Sequence, residues 1–289
     1  MPDGIPSITA AAVSLFRALA SLPGSPLDFA GDERMRVLVS APGARALELL
    51  GWLAARQPEL HRWLAAPTLG LLDHIALRTA AIDTVLRAEL DAGATQLVIL
   101  GAGLDARAWR MPELRGTTVF EVDRPSTQRL KKARVRSRAP TSRDVRFVAV
   151  DFGRDALGVR LAAEGHDAST RTLWLWEGVT PYLEPAAVAD TLGVIARRSA
   201  PGSVALVTYT TPECVNTPTT LLPIVLAAFA MLGEPLCGRL TASAFRALVE
   251  GAGMVVRGDT DSPEWARAHF RGRPSHIVIR ERLAILEKR

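Results

Sequence analysis

A run of apolar residues from Gln96 to Leu100 passes directly into Gly101-Ala102-Gly103-Leu104-Asp105-Ala106, a Gly-x-Gly-x-x-Ala turn where a strand would give way to a helix. Glycines at such a junction let a ligand approach the backbone, and the start of the helix favours polar or anionic groups. Several classes of nucleotide-binding enzyme share this turn, and a tight strand-to-helix turn also takes glycine for steric reasons alone. Asp123 closes the next apolar run, twenty residues after Gly103. An acid at that strand tip can accept hydrogen bonds from both hydroxyls of a ribose. Two further runs end in Asp151-Phe152 and Glu177-Gly178. Asp151 suits an adenine amine with Phe152 packed on the ring, although an acid there also serves as an ordinary helix N-cap. Glu177 has no lysine near it in sequence; it would cap a helix or meet a cationic or polyhydroxylated ligand.

These residues need a scaffold that brings strand ends together. From Thr95 onward, short runs rich in Val, Ile, Leu and Trp alternate with helical stretches: TQLVIL, TTVFEV, VRFVAV, TLWLWE, SVALVTYT and SHIVIRE are the strand candidates. Such alternation predicts an α/β fold with a parallel sheet covered by helices on both faces, and LVIL and LWLW suit central strands buried on both sides. In an open sheet of this kind the carboxyl ends of the strands line the binding crevice. Residues 1–90 read as a helical N-terminal cap, 95–210 as the cofactor-binding core, 211–240 as a lid or substrate insertion and 241–289 as the completion of the sheet, all in one domain. Within the cap, Leu71, Ile75, Arg78, Ile82 and Val85 recur at helical spacing, which sets Arg78 in the middle of an apolar stripe. An inward-facing arginine must find an anion. That anion is either a core carboxylate such as Asp105 or Glu121, or the carboxylate of a ligand.

Composition bounds the rest. With 289 residues, 48% apolar and 22% charged, the chain is an ordinary globular protein, not a collagen-like, disordered or disulfide-scaffold one. Cys214 and Cys237 are its two cysteines, too few for a Cys-rich zinc site, and no metal site is expected. The start has an acid at Asp3 and Arg17 inside its apolar part, so it does not read as a signal peptide, and a cytoplasmic setting is expected. The longest apolar run, Leu221 to Leu232, has 12 residues, whereas a membrane span needs about 20. Between Arg124 and Arg146 stand seven Arg and two Lys against one acid, more than the whole chain's net +5. The stretch holds no aromatic residue on which a base could stack, so it reads as a solvated face rather than a nucleic-acid site.

LVILGAGLDARAWRM, VFEVDRP, VAVDF and LWEGVTPYL resemble, in order and spacing, the signature segments of the leucine carboxyl methyltransferase family, including its bacterial polyketide-tailoring members. The resemblance runs from about Leu72 to Tyr209. It implies a Rossmann-like class I methyltransferase sheet and S-adenosylmethionine as cofactor. On the same resemblance Arg78 would hold the methionine carboxylate, Gly101, Ala102 and Gly103 would form the floor, Asp123 would bind the ribose, Asp151 and Phe152 the adenine, and Glu177 a further polar part of the cofactor. Asp105-Ala106-Arg107 stands where members frequently have Asp-Thr-Arg, which removes one hydroxyl.

The activity implied is O-methylation of a small-molecule acid, apolar and aromatic or polyketide-like. A carboxylate is already an anionic nucleophile and needs no general base, whereas a phenol or hydroxyl acceptor would be helped by one. None of His61, His74, His166, His269 and His276 has an acid at a diagnostic spacing. Tyr182 is either an acceptor contact or a loop tyrosine. A nicotinamide oxidoreductase would share Gly101, Gly103, Ala106 and Asp123, but Tyr-x-x-x-Lys is missing: Ala186 and Glu213 stand at that spacing from Tyr182 and Tyr209. A nucleic-acid-binding or degenerate module is the remaining alternative.

Overall fold

A computed structural model describes residues 8–27, 33–57, 59–68, 70–151, 155–215, 238–271 and 279–289. Among these residues seven strands, β1 (Gln96–Leu100), β2 (Thr118–Asp123), β3 (Asp144–Ala149), β4 (Thr172–Trp176), β5 (Val204–Val215), β6 (Met254–Asp261) and β7 (Ile279–Lys288), form one sheet in the order β3-β2-β1-β4-β5-β7-β6. β1 to β5 pair in parallel, while β7 runs antiparallel to both β5 and β6. The chain moves outward from β1 to β3 and then returns to lay β4 on the other side of β1. That reversal opens a crevice at the carboxyl ends of β1 and β4.

Alternation along each strand explains the near-continuous apolar runs. Leu97 and Ile99 of β1, Leu173 and Leu175 of β4, and Val204 and Leu206 of β5 fill one core; Val98, Leu100, Trp174, Trp176, Ala205 and Val207 fill the other. The first core is closed by α1 (Ile8–Ala20), α4 (Leu71–Asp91), α6 (Pro125–Val135) and α10 (Ser262–His269). The second is closed by α7 (Leu157–Ala163), α8 (Pro185–Arg197) and α9 (Ala242–Gly251). Two short cap helices, α2 (Ala41–Ala54) and α3 (Leu60–Ala65), complete the N-terminal part, and α5 (Arg107–Arg110) follows the glycine turn. This is the sheet with helices on both faces that the sequence predicts. Each large side chain buried in these layers contributes about 1.5–3 kcal/mol, so the central strands carry much of the fold's stability.

The boundaries differ in three places. β6 has no counterpart among the six predicted runs. Its sequence, MVVRGDTD, is apolar only at its start, and the register with β7 shifts between Val256 and Gly258, so it lacks the pattern of a buried strand. The last strand runs on to Lys288, well past SHIVIRE. β5 continues through Val215, into the stretch read as an insertion. Residues 216–237, with the apolar run Leu221 to Leu232 and Cys237, lie outside the described residues, as do His276 and the side chain of Cys214.

α6 is tied to the sheet by polar contacts made in the dry. Gln128 Nε2 donates to the carbonyls of Glu121 (2.9 Å) and Val148 (2.8 Å), bridging β2 and β3. Beside it Lys131 Nζ lies 2.7 Å from Glu121 Oε2, each side chain 1% exposed, and 5.3 Å from the centre of the Trp109 ring. Burial outweighs the lysine and pushes the Glu121 carboxyl up from 4.5 to about 7. A carboxyl whose pKa is raised on folding favours the native state below its unfolded value, and that contribution is lost as pH rises through the folded one. Between about pH 4.5 and pH 7, Glu121 should therefore lower stability as pH increases. In Glu121→Gln, urea unfolding curves across this window should show that component of the slope removed.

Candidate active site

The glycine turn follows β1, as the sequence requires. Gly101 and Gly103 adopt φ +66° and +48°, conformations that side-chain-bearing residues rarely take. A Cβ on Gly101 would stand 2.5 Å from a methyl of Val179, and one on Gly103 would stand 3.1 Å from Ala10 of α1. Gly101 therefore needs glycine for space as well as for φ, while at Gly103 φ is the firmer demand and Ala10 would have to give by a few tenths of an ångström. Between them the Ala102 N–H donates to the Val122 carbonyl at 2.9 Å, which fastens the turn to β2. Asp123 sits across from it. Its Oδ2 accepts from the Gly103 N–H at 2.5 Å and its Oδ1 from the Arg124 N–H at 2.6 Å. Burial raises the Asp123 pKa, while these two amide bonds work in the other direction.

Asp151 is half-buried just beyond β3. Its N–H donates to Asp155 Oδ2 at 2.9 Å, and the N-cap position of α7 belongs to Ala156, so Asp151 does not cap that helix. Phe152 lies outside the described residues. Tyr182 ends a short turn of 3-10 helix, Thr180–Tyr182, and is half-buried.

Glu177 is the centre of the crevice. It follows β4, and its side chain is 6% exposed. Oε1 accepts from Arg17 Nη2 (2.5 Å) and Arg78 Nε (2.8 Å), and Oε2 from Arg107 Nη1 (2.9 Å). Burial alone would raise its pKa. The three guanidiniums, Arg17 first, hold it well below the usual carboxylate range. The arginines come from α1, α4 and the start of α5. Arg107 is fully buried and also reaches Asp83 at 2.7 Å and Asp105, while Arg110 pairs with Asp83 at 2.5 Å. Arg17 Nε donates to Thr79 Oγ1 at 3.0 Å.

Arg78 faces inward, as its stripe predicts, but its carboxylates are Glu177 and Glu281, the latter at 2.8 Å from Nη1. Neither Asp105 nor Glu121 is its partner. α4 packs against β7, whereas Glu121 lies on β2 and is covered by Lys131 of α6. Gly178, at φ +66°, lies against the guanidinium: a Cβ there would stand 3.4 Å from Nη2 and 3.5 Å from Nη1.

Several residues of this cluster carried a readable signal. Arg17 interrupts an apolar helix as Arg78 does, and Arg107 follows the glycine turn directly. Glu281 had no such signal, being 203 residues from Arg78. Two histidines also gain acid partners that spacing did not reveal. His61 Nε2 lies 2.8 Å from Asp73, and His74 Nε2 2.9 Å from Glu281. Both are enclosed, at 9% and 2% exposure. His166 is likewise buried, and burial together with Arg198 lowers its pKa to about 4. Among the described residues no group of three or more His, Cys, Asp or Glu could hold a metal ion, and no helix is long and apolar enough to cross a membrane.

The family model described as leucine carboxyl methyltransferase matches residues 10–196. A Mycobacterium bovis protein carrying the name of an S-adenosyl-L-methionine-dependent methyltransferase is 39% identical over 219 residues, 72% of this chain and 67% of its own length. A Mycobacteroides abscessus protein of the same name is 40% identical over 68% of this chain and 63% of its own, and a Streptomyces coelicolor one 37% identical over 70% and 68%.

Replacing Glu177 by Gln should cost about 3–5 kcal/mol in chemical unfolding, since it removes the charge three buried guanidiniums share and leaves Arg17 with only Asp105 at 3.9 Å. Its pKa is depressed in the fold, so its contribution is present above the unfolded value and lost as pH falls. Glu177→Gln should accordingly show a shallower loss of stability on acidification than the parent chain.

Proposed function

The chain belongs to the leucine carboxyl methyltransferase family and uses S-adenosylmethionine; from that premise we propose that it methylates the carboxylate of a small apolar acid, aromatic or polyketide-like. The observation that carries the cofactor reading is the gathering of the glycine turn, Asp123 and Glu177 at the carboxyl ends of β1, β2 and β4, with Asp123 facing the Gly103 amide; the space a Cβ would take at Gly101 and Gly103 is filled by Val179 and Ala10. Around that turn stand acceptors for hydroxyls and a cation, Asp123 and Glu177, and the Arg78 guanidinium packed against Gly178. This donor set fits a zwitterionic amino acid joined to a nucleoside. In this reading Gly101, Ala102 and Gly103 form the floor, Asp123 takes the ribose, Asp151 with Phe152 the adenine, Arg78 the carboxylate and Glu177 the ammonium end. When bound, the sulfonium supplies a methyl group open to attack by an oxygen.

The chain's own contribution is binding, orientation and exclusion of water. Glu177 stays ionised because three arginines hold it so, and Asp123 is aimed by two backbone amides. The His61 and His74 rings are enclosed and already engaged with carboxylates. A positioning mechanism on an acceptor that is already anionic is consistent with that arrangement. Tyr182, half-buried beyond Glu177, is the side chain we assign to the acceptor's edge.

With a methyl-labelled donor and matched panels of aromatic acids and phenols, the product should be an ester that releases labelled methanol in mild alkali. Label that survives alkali, or a rate that follows phenol ionisation, would assign an ether-forming enzyme instead. By titration calorimetry, Asp123→Ala should weaken S-adenosylhomocysteine binding by about 1.5–3 kcal/mol, the scale of hydrogen bonds to a charged group. An unchanged affinity would remove Asp123 from the ribose.

A further inference from the structure

Glu281 lies on β7, outside the stretch that the family model matches, yet it reaches the core of the candidate site. Its Oε2 lies 2.8 Å from Arg78 Nη1 and 2.9 Å from His74 Nε2, and its side chain is 3% exposed. The main chain at this residue is pinned as tightly. Ser262 Oγ accepts from the Glu281 N–H at 3.0 Å and donates to the Glu281 carbonyl at 3.1 Å. Ser262 is itself the first residue of α10, whose start is fixed by reciprocal bonds between Asp261 and Glu264. Burial opposes ionisation of Glu281, but Arg78 and His74 overcome it and hold the carboxyl at about 2. An ion anchored in this way has little freedom to move aside for a ligand.

Arg78 is therefore gripped from two directions. Glu177 holds Nε and Glu281 holds Nη1. With those two nitrogens fixed the planar guanidinium has one orientation, and Nη2 is the nitrogen that neither glutamate holds. Without the second grip the group could rotate to pair through two nitrogens with Glu177, which would withdraw donors from a ligand.

We propose that Glu281 is a positioning residue for the methyl donor: through Arg78 it aims the guanidinium at the donor's amino-acid carboxylate. This rests on the assignment of Arg78 to that carboxylate. Placement, rather than negative charge, is what Glu281 supplies, and two substitutions separate the two. Glu281→Gln keeps an oxygen acceptor at the same reach and removes the charge. Glu281→Asp keeps the charge and retracts it by about 1.5 Å, one carbon–carbon bond.

The test compares two ligands by calorimetry: S-adenosylhomocysteine, which carries the carboxylate, and 5′-methylthioadenosine, which lacks the amino-acid portion. Glu281→Asp should bind S-adenosylhomocysteine about tenfold or more weakly while binding 5′-methylthioadenosine as the parent chain does, and Glu281→Gln should stay within about threefold for both. Equal losses on both ligands in Glu281→Asp would mark a purely structural residue and overturn the proposal. So would unchanged or tighter S-adenosylhomocysteine binding in Glu281→Asp, or a loss in Glu281→Gln as large as in Glu281→Asp, since charge would then outweigh placement. Arg78→Lys serves as the control. If it weakens both ligands alike, the assignment of Arg78 to the carboxylate fails. If its loss is confined to S-adenosylhomocysteine, that assignment stands and the Glu281 variants judge the proposal alone.

Discussion

A carboxylate at the mouth of a parallel sheet has been taken out of water, and three guanidiniums from three separate segments hold it there. Removing an ion from water costs several kcal/mol, and the cost is offset only where geometry and hydrogen bonding are nearly complete. Glu177 meets that condition because Arg17, Arg78 and Arg107 each bond one of its two oxygens. The same demand passes outward. Arg107 needs Asp83 and Asp105, Arg110 shares Asp83, and Arg78 needs Glu281. Four arginines thus face four carboxylates, and most members are shared between two or more partners.

This balance links parts of the chain that are far apart in sequence. α1 is joined to β4 through Arg17, α4 to β4 and β7 through Arg78, and the glycine turn to both through Asp105 and Arg107. α1 also presses Ala10 toward Gly103. The crevice is consequently shaped by the N-terminal cap as much as by the sheet. A network that is neutral as a whole also suits a ligand end that is itself zwitterionic, because binding adds a positive and a negative charge without upsetting the sum.

Much of this was legible where the signal is local. Gly101 and Gly103 reveal themselves because a strand runs straight into them, and Asp123 and Glu177 because each closes an apolar run. Arg78 showed that it faces inward, since apolar neighbours flank it at helical spacing. What the sequence could not supply was the identity of partners from distant strands. Glu281 sits in a stretch with no motif, and its contact with Arg78 exists only once β7 returns antiparallel beside β5. The pairing of His74 with Glu281 has the same origin, while Lys131 with Glu121 and His61 with Asp73 are nearer in sequence but join different elements. β6 escaped because an edge strand is half-exposed and does not need the continuous apolarity that marks β1 and β4.

The basic run from Arg124 to Arg146 has a physical role in this architecture. It spans α6 and the first half of β3, and β3 is an edge of the sheet. Parallel edge strands present unpaired backbone groups that invite pairing with another chain, and charged side chains are a common guard against it. Arg129, Lys132, Arg136, Arg138 and Arg143 are exposed along this side. Lys132 Nζ lies 4.7 Å above the ring of Phe147, covering the half-buried aromatic residue on the edge. Arg146 stays on the edge itself, bonded to Asp144 and to the Glu164 carbonyl across from α7. Most of the cations remain solvated, as the lack of interleaved aromatics suggested. Their clustering sets charge beside the outer strand of an open sheet, where it opposes pairing with another chain.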